Sequence, residues 1–191
     1  MFAETGSEEL SVPLVEEILR TTRLESGDID DVRWGCAKQV NEQSNNIARV
    51  IAMLALGEEV PGTTIDRLCA SSAEAIMTAS DAIRAGTREA IIAGGVENMS
   101  RNERRHNIGV YDGIAEQYDV AGLQMGQTAE KVAREYDITR EEQDAYSARS
   151  QQRAVEATEE GRFDEEIVPL ETDDGVVDTD ESIRPDTDME T

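Results

Sequence analysis

Cys69 has the clearest chemical potential in this sequence, because it stands where a β-type run passes into a helix, in Asp66-Arg67-Leu68-Cys69-Ala70-Ser71-Ser72. A thiol placed there meets the unpaired N–H groups and the positive end of the helix dipole, which favour the thiolate and so a nucleophile. Position alone leaves a second reading open, since free cysteine is among the most buried residue types and more often packs than reacts. Cys36 falls inside a strand-like run and reads as a packing residue. His106, the single histidine, lies beside Arg104 and Arg105 in a polar stretch and reads as an exposed side chain rather than a base for Cys69. Gly94-Gly95 ends a strand without the GxGxxG spacing of a phosphate cradle. No cluster has metal-ligand spacing, and neither a metal nor a cofactor is expected.

The elements that must position Cys69 follow from apolar periodicity. Val12, Val15, Ile18 and Leu19 predict an amphipathic helix over 11–24, with Ser11 as N-cap, Pro13 in the first turn and Gly27 as terminator. A strand is predicted over 31–37. A helix over 45–56 follows, with Ile47, Val50, Ile51 and Leu54 on one face and Gly57 closing it. Thr63, Thr64 and Ile65 read as the strand leading to Cys69, and the helix from there to Arg84 turns Ala73, Ile76, Met77, Ser80 and Ile83 inward before Gly86. The apolar run Glu89–Val96 reads as a strand covered on both faces. Helix and strand alternate, which predicts an α/β layered fold with crossover helices. Beyond Ser100 the pattern changes to a polar excursion over 101–124. Two helices are then predicted, the second opened by the capping box Thr139-Arg140-Glu141-Glu142. A short strand over 166–170 precedes a segment, 171–191, with nine acidic residues and one arginine.

Composition removes several function classes. The 191 residues carry 18 Lys plus Arg against 42 Asp plus Glu, a net charge of −24. A nucleic-acid binder needs a basic face, and the one basic cluster is Arg101, Arg104 and Arg105. No apolar run approaches the roughly 20 residues that span a bilayer, and no leader pattern opens the chain. Two cysteines cannot build a disulfide framework, so reduced thiols and a cytoplasmic location are expected. Arginine supplies all the positive charge except for Lys38 and Lys131. An acid-coated, lysine-poor chain that still shows core periodicity suits a halophile, since at about 1 M salt the Debye length of ~3 Å screens self-repulsion.

The segment DRLCASSAEAIMTASDAIRAGTREAIIAGGVENMS (66–100) resembles the active-site region of the thiolase family. NNIARVIAMLALGEEVPGTTIDRLC (45–69) is similar to the stretch leading to that family's nucleophilic cysteine. MGQTAEKVAREYDITREEQDAYSARSQQRA (125–154) resembles its loop-domain helices, and GRFDEEIVPL (161–170) the segment after them. The resemblance implies a thiolase-like layered α/β domain at 1–100, lacking the family's first strand, part of a loop domain at 101–170, and an acidic segment at 171–191 that is disordered in isolation. It implies an acyltransferase acting on coenzyme A thioesters, either cleaving 3-oxoacyl-CoA with CoA or condensing acetyl groups, as a homo-oligomer (dimer or tetramer) without nucleic-acid or membrane partners. Cys69 is then the residue acylated by the thioester, and Met125 borders the acyl pocket.

The chain departs from the family pattern in ways that bear on function. Ala70-Ser71-Ser72 stands where Gly-Ser-Gly is usual, which narrows the space around the substrate, and Gln124 stands where a histidine often precedes the Met-Gly pair. The excursion 102–123 is shorter than in typical bacterial members. The resemblance ends inside the loop domain, so the activating histidine and the second, proton-transferring cysteine have no counterpart here. About half of a thiolase is implied, with a non-catalytic acyl-CoA- or partner-binding half, or one subunit of a split enzyme, as the other readings. The charge balance generates a test. Circular dichroism is expected to show the chain largely unfolded in dilute buffer and helical in molar KCl; equal helix content in both would contradict it.

Overall fold

A computed structural model describes residues 2–102, 112–173 and 175–188. The chain forms two compact units, one comprising Met1–Arg104 with Val168–Asp178 and the other Arg105–Ile167 with Thr179–Thr191. No helix among the described residues is long and apolar enough to cross a membrane.

The first unit is built on three parallel strands, β1 (Asp31–Gly35), β2 (Gly62–Ile65) and β3 (Ile91–Gly95), in the order β2-β1-β3. Helix α1 (Ser7–Thr22) precedes β1, α2 (Ile47–Ala55) connects β1 to β2, and α3 (Ser71–Arg84) connects β2 to β3. Because β2 and β3 lie on opposite sides of β1, right-handed connections must put α2 and α3 on opposite faces of the sheet. Strand alternation then divides the side chains. Val32, Trp34 and Cys36 enter a core with Val15 of α1 and Ile47 and Ile51 of α2. On the α3 side the ends of β1 and β3 present glycine, and the first turn of the helix sits on their backbone. A Cβ on Gly35 would lie 2.5 Å from Ser72 N and 2.6 Å from the Ser71 carbonyl carbon, and one on Gly95 would fall on Ser72 Oγ. Gly94 makes the matching allowance on the other face, where a Cβ would lie 2.6 Å from the Trp34 ring.

The predicted alternation of helix and strand is present, with several local differences. α1 starts four residues early, at Ser7, with Gly6 as N-cap; the Gly6 N–H donates to the Glu9 carboxylate at 2.5 Å. Ser11 therefore caps nothing and instead donates to the Ser7 carbonyl at 2.7 Å, while Pro13 stands in the helix interior. The helix stops at Arg23 in the left-handed region (φ 62°), so Gly27 falls in a short 3₁₀ turn, Ser26–Asp28. Gly57 (φ 101°) and Gly86 (φ 70°) close α2 and α3 as their positions suggested. Leu54 points outward rather than into the core, where Ala48 and Ala52 stand instead. α3 reverses its expected orientation more fully. Ser71, Ala75 and Ala79 are buried, whereas Ile76, Met77 and Ile83 are exposed, because only small side chains fit where the helix touches the sheet backbone. The strand expected over 166–170 is Leu170–Thr172 (β4), paired antiparallel with Gly175–Val177 (β5).

In the second unit, a short α4 (Asp112–Ala115) precedes α5 (Met125–Glu135) and α6 (Arg140–Glu159). The capping box is formed as read: Thr139 Oγ1 accepts from Glu142 N at 3.2 Å and the Glu142 carboxylate accepts from Thr139 N at 2.8 Å. Among the described residues of this unit, Ala148 is the buried one. His106, Arg104 and Arg105 lie outside the described residues.

The close approach of α3 to the sheet is testable by adding one methyl group. Gly35→Ala should cost about 1–3 kcal/mol through overpacking against backbone that cannot step aside. Gly27→Ala, with nothing within 4 Å of its added Cβ, should leave the thermal midpoint within a degree or two of wild type, a small surface effect. Equal melting temperatures for the two variants would contradict the account.

Candidate active site

Cys69 sits beyond the carboxyl end of β2, two residues before the first turn of α3, at the edge of the sheet where open α/β folds bind ligands. The local chain turns sharply to place it. Leu68 adopts φ 50°, a conformation that side chains with a Cβ seldom enter, and the turn is held by side-chain bonds on both sides. Asp66 Oδ1 accepts from Leu68 N at 2.9 Å. Ser71 Oγ accepts from Arg67 N at 2.8 Å and donates to the Leu68 carbonyl at 2.6 Å. The Arg67 guanidinium pairs with Glu74, one turn into α3. Cys69 is left exposed at the apex of this braced turn.

The thiol faces a cavity of about 430 Å³ that lies across the ends of all three strands. Gly35, Cys36, Ala37 and Lys38 supply the wall after β1; Leu68, Cys69, Ser71 and Ser72 the wall after β2; and Gly95, Val96, Glu97 and Met99 the wall after β3. Leu68 and Met99 are exposed apolar side chains at this cavity, which suits an acyl group better than a charged one. The two cysteines meet here in opposite settings. Cys36 is buried, at 1 % exposure, and its thiol donates to the Lys38 carbonyl across 3.7 Å. Burial, then the nearby charge of Glu97, pushes its pKa up to about 11, so it is a neutral thiol at physiological pH.

Two polar residues that periodicity did not single out complete the site. Glu97 Oε2 accepts from the N–H groups of Ala37 and Lys38, each at 3.0 Å, and so ties the loop after β1 to the end of β3. Gln43, fully buried, donates to the Lys38 carbonyl at 2.6 Å and to Glu97 Oε1 at 2.7 Å, and it accepts from Ser7 Oγ and Asn98 N at 2.8 Å each. The signal available in the sequence was the polar tripeptide Asn41-Glu42-Gln43 ahead of an apolar helix, which reads as a loop until its long-range partners are known.

Met125 stands elsewhere. It is the first residue of α5 in the second unit, 74 % exposed, and borders a groove of about 400 Å³ with Thr128, Val132 and Ile138. Cys69 and Met125 thus belong to different units. Among the described residues no group of His, Cys, Asp and Glu is arranged to hold a metal.

Comparison with known proteins places the chain in a family. The profile described as "Thiolase, N-terminal domain" matches residues 1–191. The chain is 41 % identical over 197 residues to the 3-ketoacyl-CoA thiolase of Aliivibrio fischeri, covering all of this chain and 51 % of that protein. It is 42 % identical to the 3-ketoacyl-CoA thiolase of Aeromonas hydrophila, with the same coverage. The crystal structure of the Bacillus anthracis acetyl-CoA acetyltransferase superposes with a TM-score of 0.82 at 35 % identity, covering 99 % of this chain and 52 % of that one. The chain therefore spans about half the length of the relatives it matches.

The contrast between the thiols predicts a pH dependence. Since the folded value of Cys36 lies above the 9.0 of an ordinary thiol, its contribution to stability is complete below about pH 9 and is lost as pH rises through 11. Urea melts at pH 8, 9.5 and 11 should show falling stability, with the slope reduced in Cys36→Ala. A slope unchanged by that substitution would remove Cys36 as its source.

Proposed function

From the premise that the chain belongs to the thiolase family by its N-terminal domain, we propose that Cys69 is the nucleophile of a thiolase-type acyl transfer and that the cavity over the strand ends receives the acyl group. The exposed thiol at the apex of a braced strand-to-helix turn carries this reading. The Cys69 sulfur attacks the carbonyl carbon of a CoA thioester, a new carbon–sulfur bond forms, and CoA departs as its thiol with the proton that Cys69 gives up. In the degradative direction the attack is on the 3-keto carbon of a 3-oxoacyl-CoA. The bond between C2 and C3 breaks, and acetyl-CoA leaves after taking up the proton at C2. The acyl-cysteine is then resolved by a second thiol or carbanion, which is covalent catalysis in two half-reactions. The substrates supply all the reacting groups, so no cofactor is required.

The names of the relatives fit both directions, thiolysis of 3-ketoacyl-CoA and transfer between acetyl-CoA molecules. Met125, at the start of α5, is the residue proposed to border the acyl chain. The exposed apolar side of α3, with Ile76, Met77 and Ile83, supports burial against the second α/β half of the family's fold, and the assembled state proposed is a homo-oligomer. The acid excess fits a protein that works in concentrated salt, and the location proposed from its two unpaired cysteines is the cytoplasm.

The experiment is an assay of acetoacetyl-CoA cleavage by the 191-residue chain, alone and mixed with a separately expressed C-terminal half of a relative. Turnover is expected in the mixture, and Cys69→Ala should lower it by about 10⁴-fold or more, the usual scale for losing a covalent nucleophile. Turnover that survives Cys69→Ala would overturn the assignment.

A further inference from the structure

The loop Cys36–Lys38 forms one wall of the Cys69 cavity, yet it belongs to no strand or helix and has to be held by side chains. The holding group is the pair Gln43 and Glu97. A primary amide has two donor hydrogens and two acceptor lone pairs, and Gln43 uses all four: its Nε2 bonds to the Lys38 carbonyl and Glu97 Oε1, its Oε1 to Ser7 Oγ and Asn98 N. The partners fix the orientation of the amide. Turned over, it would set its N–H groups against the Asn98 N–H and its oxygen against a carboxylate and a carbonyl. Glu97 is chosen with equal strictness, because it must accept at both oxygens, from two backbone N–H groups on one side and from Gln43 on the other. Neither residue can be exchanged for the other's chemistry singly without bringing two donors or two acceptors face to face, and in a buried site an unmade bond of this kind is costly.

This linkage joins two pieces of chain that wall the cavity, the loop after β1 and the loop after β3, and ties them through Ser7 to the start of α1. We propose that Gln43 and Glu97 are positioning residues for acyl transfer, which hold the Cys36–Lys38 wall so that a short acyl thioester lies against Cys69 rather than loose in the cavity. The inference rests on the reading of Cys69 as the acyl-accepting nucleophile. Its consequence is a dependence on acyl length. A short acyl group is located by the wall alone, whereas a long one also fills the space bounded by Leu68, Val96 and Met99 and is less sensitive to the wall.

The test measures acylation of the full 191-residue chain, combined with the separately expressed C-terminal half of a relative, by acetyl-CoA and by octanoyl-CoA, followed by intact mass, with alkylation by iodoacetamide as a readout of thiol access that needs no acyl pocket. Glu97→Gln should slow acetylation by about tenfold, a modest share of the loss that a misplacement near 1 Å produces. It should slow octanoylation less, and leave alkylation of Cys69 within about twofold, since exposure of the thiol is unchanged. Gln43→Glu should slow acetylation more than Glu97→Gln, because it sets a carboxylate oxygen against both the Lys38 carbonyl and Glu97; the double variant Gln43→Glu with Glu97→Gln relieves the contact across the pair only, and should fall between Gln43→Glu and wild type. Equal loss for both acyl lengths together with slowed alkylation would mean general disruption of the fold, and would overturn the positioning role. So would unchanged acetylation in Glu97→Gln, or a double variant slower than Gln43→Glu alone. Absence of Cys69 acylation in the wild-type chain would instead overturn the underlying reading of the nucleophile, and the inference with it.

Discussion

The approach of α3 to the sheet is the contact on which the site depends. Gly35 at the end of β1 and Gly95 at the end of β3 leave no side chain between the strands and the first turn of the helix, so Ser71 and Ser72 rest on the backbone itself. That proximity shortens the path from β2 to α3 to a few residues, and the chain meets it by forcing Leu68 to positive φ and bracing the turn with Asp66 and Ser71. Strain of this sort persists where the surroundings over-determine it. The result is a cysteine raised at the edge of the sheet, facing a cavity walled by the ends of three neighbouring strands.

The same contact makes the two faces of the sheet unequal. On the side of α1 and α2, Trp34 and the aliphatic residues around it form the buried core, where removal of apolar surface supplies most of the stabilisation. On the side of α3, glycine and alanine give close packing but bury little side-chain area, and the larger apolar residues of that helix, Ile76, Met77 and Ile83, stay exposed. The second unit is leaner still, held by capping and by intrahelical pairs such as Arg140 with Asp144 rather than by burial. Such exposed pairs contribute little individually.

Much of this arrangement was legible in the sequence, because it rests on local signals. A β-branched run before Cys69, closing glycines after α2 and α3, and alternating periods of helix and strand gave the layered α/β order and the position of the thiol. The inward face of α3 was misread for a physical reason. Periodicity reports which residues share a face, but not whether the neighbour is a side chain, which favours Ile and Met, or a backbone, which admits only Ser and Ala. The start of α1 was misplaced because Glu9 caps Gly6 through its side chain, while Ser11, a good capping residue by type, turns inside the helix to bond Ser7. Gln43 and Glu97 were not found at all. Their roles come from partners 54 to 60 residues away in sequence, and no local pattern records such pairs.

The central claim is that the braced turn presents Cys69, and not Cys36, to a thioester. The most direct measurement is a peptide map of the chain, combined with the separately expressed C-terminal half of a relative, mixed briefly with radiolabelled acetyl-CoA and quenched in acid, which preserves an acyl-cysteine. The account predicts label on the peptide that contains Cys69 and none on the peptide that contains Cys36. Label on Cys36, or on neither cysteine under conditions where the chain is folded, would contradict it.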